Sequence, residues 1–252
     1  MIKVSDVTKR YGQYVAVDRA SVDIRKERIT SLIGPNGAGK STLMSIISRL
    51  APKDEGEVLI DGVEIGEWKS DRLARKIAIL KQANHLSLRL TVRDLVGFGR
   101  FPYSKGRLTP EDTEHIERAI RYMNLKELES KYLDQLSGGE RQRAFLAMVI
   151  AQDTDYVLLD EPLNNLDMKH SVQIMKVLRG LVDEFGKTVV LVLHDINFAS
   201  CYSDDVIAMR NGRIVRHGPA SEIIAPSSLR EVYEMNIRIE EIDRRKVCVY
   251  FW

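Results

Sequence analysis

The sequence has 252 residues, 44% hydrophobic and 29% charged, with 38 Lys and Arg against 36 Asp and Glu for a net charge of +2. This is the composition of a globular chain of one large or two small domains with a sizeable core, and its near-neutral balance excludes a nucleic-acid binder driven by global charge. Cys201 and Cys248 have no CxxC or metal-ligand spacing and read as reduced thiols.

Along the chain, residues 1–25 and 57–65 read as antiparallel strands, with Asp61-Gly62 as a tight hairpin turn. Met1–Asp6 has no apolar run, so no signal peptide is expected. Ile29–Ile33, Tyr156–Leu159 and Thr188–Leu193 are apolar on both faces, as buried parallel strands require. Each leads into a helical pattern, which predicts an α/β fold with a mostly parallel sheet. Residues 82–135 lack strand signals and contain the helix-like stretches Thr91–Gly99 and Pro110–Asn124, a helical insertion. Helix 138–151 is apolar nearly all round from Ala144 onward and should be buried. In Met168–Val182, Val172, Met175, Leu178 and Val182 make one apolar face. Asn211-Gly212 predicts a second hairpin, and the alternating tail 236–252 a small terminal one. The longest apolar runs, Ala144–Ala151 and Val189–Leu193, fall far short of the ~20 residues that span a bilayer.

Three segments carry chemistry. Gly34-Pro35-Asn36-Gly37-Ala38-Gly39-Lys40-Ser41 fits G-x-x-x-x-G-K-[ST] between a strand and a helix. Its glycines let successive N–H groups face an anion, Lys40 adds a charge for terminal phosphates, and Ser41 offers a hydroxyl to Mg²⁺. Alone, the loop says only nucleoside triphosphate. Tyr156–Glu161 carries Asp160 and Glu161 to a strand end, where one carboxylate could hold Mg²⁺ through water and the other orient an attacking water. Leu136-Ser137-Gly138-Gly139-Glu140-Arg141-Gln142 opens the buried helix. Ser137 and Glu140 alone make a helix-capping box, but the two glycines also bare the helix N-terminus for an anion.

The order of these segments, followed by a strand ending in His194, resembles the ATP-binding subunit of ABC transporters over nearly the whole chain. The resemblance implies a P-loop NTPase core with an N-terminal antiparallel β subdomain. It divides the chain into a core of 1–81 and 153–220, a helical subdomain of 82–152, and a C-terminal helix and hairpin over 221–252. It further implies that ATP is held by Gly34 through Ser41 and Thr42, with Tyr11 stacking on the adenine. Ser41, Gln82 and Asp160 would hold Mg²⁺, with Lys40, Glu161 and His194 catalytic. Ser137, Gly138 and Gly139 would bind the ATP of a second copy in a head-to-tail dimer, and Asp167 would serve communication across it. The segment Asn164-Asn165-Leu166-Asp167 stands where the family more often shows Ser-Ala-Leu-Asp, so Asn164 and Asn165 depart from the pattern. Glu140 stands where many members carry Gln.

Within the family, Val96–Tyr103, Gln142–Asp153 and His194–Ala199 are worded like ferric-siderophore importers, with haem and cobalamin importers close behind. Such a subunit works with transmembrane permease subunits, indirectly with an extracytoplasmic substrate-binding protein, and not with nucleic acid. It would sit peripherally on the cytoplasmic face of a bacterial membrane. Residues 82–107 are expected to face the permease, with Arg89, Arg93, Arg100, Lys105 and Arg107 as a basic rim and Leu86, Phe98, Phe101 and Tyr103 as anchors. A non-transport ABC ATPase is disfavoured by the lack of heptads and of a second cassette. A P-loop kinase is disfavoured by Leu136–Glu140 and His194, and an exporter by the lack of a fused membrane span.

Overall fold

The computed structural model describes residues 1–81, 88–164 and 166–251. In chain order the elements begin with β1 (Ile2–Tyr11), β2 (Tyr14–Ile24), β3 (Ile29–Ile33), α1 (Lys40–Ile47), β4 (Glu55–Ile60) and β5 (Val63–Glu64). There follow α2 (Ser70–Ala74), β6 (Ile77–Leu80), α3 (Val92–Phe98), α4 (Phe101–Ser104), α5 (Pro110–Tyr122), α6 (Gly138–Ala151), β7 (Tyr156–Asp160) and α7 (Met168–Asp183). The chain ends with β8 (Thr188–Val192), α8 (Ile196–Tyr202), β9 (Asp205–Arg210), β10 (Arg213–Pro219), α9 (Ala220–Ile223), α10 (Pro226–Tyr233), β11 (Arg238–Ile242) and β12 (Arg245–Val249). They fall into two compact units, Met1–Trp68 with Val182–Trp252, and Lys69–Leu181.

In the first unit, β2-β1-β4-β5 form an antiparallel sheet in which Ile2 lies between Ile24 and Ile60. The turn at Asp61-Gly62 has both φ values positive, 51° and 83°, as a tight hairpin needs. A second group of strands places β3 between β8 and β9, parallel to both, with Leu32 opposite Val192 and Ile207. Every residue of β3 and β8 is buried. Each buried Leu, Ile or Val there contributes about 1.5–3 kcal/mol. β10 returns antiparallel to β9 through Asn211-Gly212, again with positive φ at both. The tail pairs β11 with β12 around Asp243-Arg244, which both take positive φ.

In the second unit, β6 runs parallel to β7, with Leu80 opposite Leu159. The pattern does not predict β6, because a four-residue apolar run is too short to tell from a piece of helix. Helices α3, α5 and α6 pack on one another. Thr91 caps α3 and Thr109 caps α5, each in a reciprocal box with the aspartate three residues on. The buried faces carry Leu95 and Val96, Ile116 and Ile120, and Ala144, Leu146 and Ala147. Among the described residues, no helix is long and apolar enough to cross a membrane.

Candidate nucleotide site

The phosphate loop leaves the end of β3 and enters α1. At Gly34 φ is 141°, and a Cβ would lie 2.1 Å from the Met209 carbonyl oxygen. At Gly39, the N-cap of α1, φ is 98° and a Cβ would lie 2.4 Å from the Ala16 carbonyl oxygen. Both positions thus admit only glycine, for backbone strain and for space. Lys40 is 5% exposed, and its ammonium donates to the carbonyls of Gly34 at 2.7 Å and Pro35 at 3.0 Å. Its charge is thereby held over the loop it belongs to. Ser41 and Thr42 lie half-buried in the first turn of α1.

Leu32 and Val192 are register partners on parallel strands, and the Leu193 N–H donates to the Leu32 carbonyl at 3.1 Å. Gly34 and His194 each lie two residues past that pair. Both therefore follow the same end of two adjacent parallel strands, and His194 is exposed there. This is the edge of an open α/β sheet at which ligands gather.

Tyr11 and Tyr14 face each other across the β1–β2 turn, and both are exposed. The Tyr14 hydroxyl donates to the Gly37 carbonyl at 3.1 Å. That bond ties the aromatic hairpin to the phosphate loop. No sequence motif marks Tyr14; only the pairing shows it.

In the second unit, Asp160 ends β7 and Glu161 follows with φ 53°, a left-handed conformation uncommon outside glycine. The Asn164 side-chain amide donates to the Glu161 carboxylate. Gln142 Nε2 donates to the Pro162 carbonyl at 2.9 Å. Neither partner of this loop is evident from the sequence, although Asn164 stands out as a departure from the family pattern.

Ser137 caps α6. Its Oγ accepts from the Glu140 N–H at 3.3 Å, while Glu140 accepts from the Ser137 N–H at 2.8 Å and the Ser137 hydroxyl at 2.7 Å. The hydroxyl and backbone donors of Ser137 hold the Glu140 carboxyl below the usual glutamate range. Thus the capping reading of Ser-x-x-Glu is realised here. Gly139 abuts the His170 ring, with a Cβ position 3.2 Å from it. Asp167 accepts from the His170 N–H and contacts its ring Nδ1, both at 2.8 Å, and these bonds hold its carboxyl below the usual aspartate range. Gly139, His170 and Asp167 are therefore neighbours. The hydroxyl of Ser41 and the carboxylate of Asp160 are the hard oxygen donors that Mg²⁺ takes. Gln82 and Asn165 lie outside the described residues.

The expected permease-facing stretch is only partly a surface. Arg100 is buried and paired with Asp112, Arg93 is bonded to Glu117 and Glu129, and the Tyr103 hydroxyl donates to the Gln152 carbonyl at 3.0 Å. Arg100 thus belongs to the interior of the unit and not to a rim, and Tyr103 is half-buried with its hydroxyl taken by Gln152. Phe98 and Phe101 remain 46% and 57% exposed beside a groove of about 440 Å³. Leu86 lies outside the described residues.

Residues 17–164 match the family described as ABC transporter. The chain belongs to the ABC transporter family. It is an ATP-binding, ATP-hydrolysing cassette of that type. The cassette is 62% identical over the full length of both chains to the petrobactin import ATP-binding protein YclP of Bacillus subtilis (strain 168). It is 50% identical to the petrobactin import ATP-binding protein FatE of Bacillus anthracis, over 99% of this chain and 100% of the relative. Among solved structures, it resembles the dimeric, post-hydrolysis state of the ATP-binding cassette MJ0796 bound to ADP and Pi. The TM-score is 0.77 at 31% identity, over 87% of this chain and 99% of that one.

Proposed function

We propose that this cassette energises uptake of a ferric siderophore, petrobactin being the first to test, as the ATPase of a bacterial importer. Identity of 62% along the entire chain to a petrobactin import protein carries this reading. The cassette would act as a head-to-tail dimer beneath transmembrane permease subunits, on the cytoplasmic face of the membrane.

The residue roles follow the chemistry of each group. The loop N–H groups from Asn36 to Thr42 and the α1 N-terminus favour a bound polyphosphate, and the Lys40 ammonium would neutralise its terminal charge. Tyr11 would stack on the adenine. Glu161 would accept the proton of the attacking water, and His194 would contact the γ-phosphate. Ser137, Gly138 and Gly139 would bind the ATP of the second copy, so that ATP favours the closed pair and its hydrolysis releases it. Ser41, Gln82 and Asp160 would hold Mg²⁺, which when bound supplies charge neutralisation on the phosphate oxygens.

The test is uptake of ferric petrobactin in cells lacking the gene, complemented with wild type, Glu161→Gln or Lys40→Ala. Haem and cobalamin uptake are measured alongside. Restoration by wild type alone is expected. Restoration of haem or cobalamin uptake instead would overturn the substrate. In the purified protein, Glu161→Gln should bind ATP and lose about a thousandfold in turnover, roughly 4 kcal/mol. Lys40→Ala should lose ATP affinity.

A further inference from the structure

Two side-chain amides act on the turn after β7: Asn164 bonds the Glu161 carboxylate and Gln142 bonds the main chain beside it. Glu161 has positive φ, which sends the chain into a tight turn closed by the Asn164 N–H on the Glu161 carbonyl at 3.2 Å. Inside that turn the Asn164 side-chain amide donates to the Glu161 carboxylate. Gln142 of α6 donates to the carbonyl of the intervening Pro162 at 2.9 Å and so holds the turn itself. A hydrogen bond from an amide to a carboxylate is charge-assisted, and it fixes the direction of the acceptor as well as adding energy. A free glutamate samples several rotamers, and only those aimed at the attacking water are productive. The serine that the family more often places at position 164 has a shorter side chain and no amide.

The geometry points to Asn164 as a positioning residue that aims the Glu161 carboxylate, with Gln142 holding the turn that carries both. The inference rests on Glu161 as the general base. Asn164 acts through Glu161 and touches no reacting atom itself. Its loss should therefore lower kcat and leave ATP binding alone, and it should do nothing once the carboxylate is gone.

The experiment is a double-mutant cycle on ATP turnover with the full chain, comparing wild type, Asn164→Ala, Glu161→Gln and the double variant, with ATP affinity and thermal unfolding measured for each. Asn164→Ala is expected to lower kcat about tenfold with ATP affinity unchanged, the loss of one charge-assisted bond in the productive state. In the Glu161→Gln background the same change is expected to cause no further loss. Asn164→Asp is isosteric but sets a second carboxylate against the first, and it should be slower than Asn164→Ala. Wild-type kcat in Asn164→Ala beside a defective Glu161→Gln would overturn the inference alone. An equal fractional loss in both backgrounds would likewise overturn it, since Asn164 would then act independently of Glu161. Near-normal turnover in Glu161→Gln would overturn the general-base reading and the inference with it.

Discussion

Arg100 Nε donates to Asp112 Oδ1 at 2.8 Å, with both side chains only 3% exposed. Arg100 also donates to the Ala151 carbonyl at 2.9 Å, and Asp112 accepts from the N–H and hydroxyl of Thr109, each at 2.9 Å. One ion pair thus ties the end of α3 to the start of α5 and the end of α6. Burial by itself would raise the Asp112 carboxyl, but the Thr109 and Arg100 donors outweigh it and hold the group below the usual aspartate range. Asp112→Ala leaves a buried guanidinium unpaired and should cost about 3–5 kcal/mol in urea unfolding. Because the folded pKa is lowered, the Asp112 contribution is complete above the unfolded value near 4. It is lost as pH falls through the lower folded value. Acid unfolding of Asp112→Asn should lack that component; an unchanged acid limb would remove the pair from this role.

Gly34 and Gly37 both take positive φ, yet only at Gly34 does backbone occupy the Cβ position. Gly37→Ala should cost only the left-handed penalty of about 1–2 kcal/mol. Gly34→Ala must also displace the Met209 carbonyl, so it should cost more, and ATP affinity should fall more than tenfold. Calorimetric titration of ATP into the two variants distinguishes them; equal affinities would count against a tightly packed loop.

Ser137→Ala removes the α6 cap and should cost about 1 kcal/mol of stability. Glu140→Gln keeps acceptors for both Ser137 donors and the side chain common in the family. Because the Glu140 pKa is lowered, its contribution is present above the ordinary glutamate value and fades as pH falls below it. Turnover should drop in Ser137→Ala well beyond its stability loss and stay near wild type in Glu140→Gln. Equal, small effects on turnover would leave Ser137 a cap and nothing more.

Phe98 and Phe101 are the exposed aromatic groups of the helical stretch beside the apolar groove. Phe98→Asp and Phe101→Asp should leave ATP binding and thermal stability intact. Copurification with the permease should be lost. Retained copurification in both variants would move the docking surface elsewhere.

Burial pushes the Cys248 thiol up to about 11. At pH 8 it is protonated and should resist iodoacetamide in the native protein, and become labelled in urea. Rapid native labelling at Cys248 would contradict its burial.

The strand–loop–helix of residues 29–47 was readable because its signals are local: an apolar run, glycines at strained φ, then a helix. The hairpins at Asp61-Gly62 and Asn211-Gly212 were readable for the same reason. The Ser137–Glu140 box spans one helical turn, so its spacing carried its geometry. Arg100 reads as a surface charge in the sequence because its partners arrive from 12 and 51 residues away. A charge next to aromatic residues looks alike in sequence whether solvated or paired.

The sequence alone determined which chemistry is present and on which strand ends it sits, since side-chain type, turn conformation and helix period are properties of a few adjacent residues. Only the tertiary structure decided which groups hold which. Tyr14 reaches Gly37 across 23 residues and Gln142 reaches Pro162 across 20. Such bonds depend on how strands pair and helices pack, and a hydrogen bond is made or lost over less than an ångström. No periodicity in the chain encodes a distance of that kind.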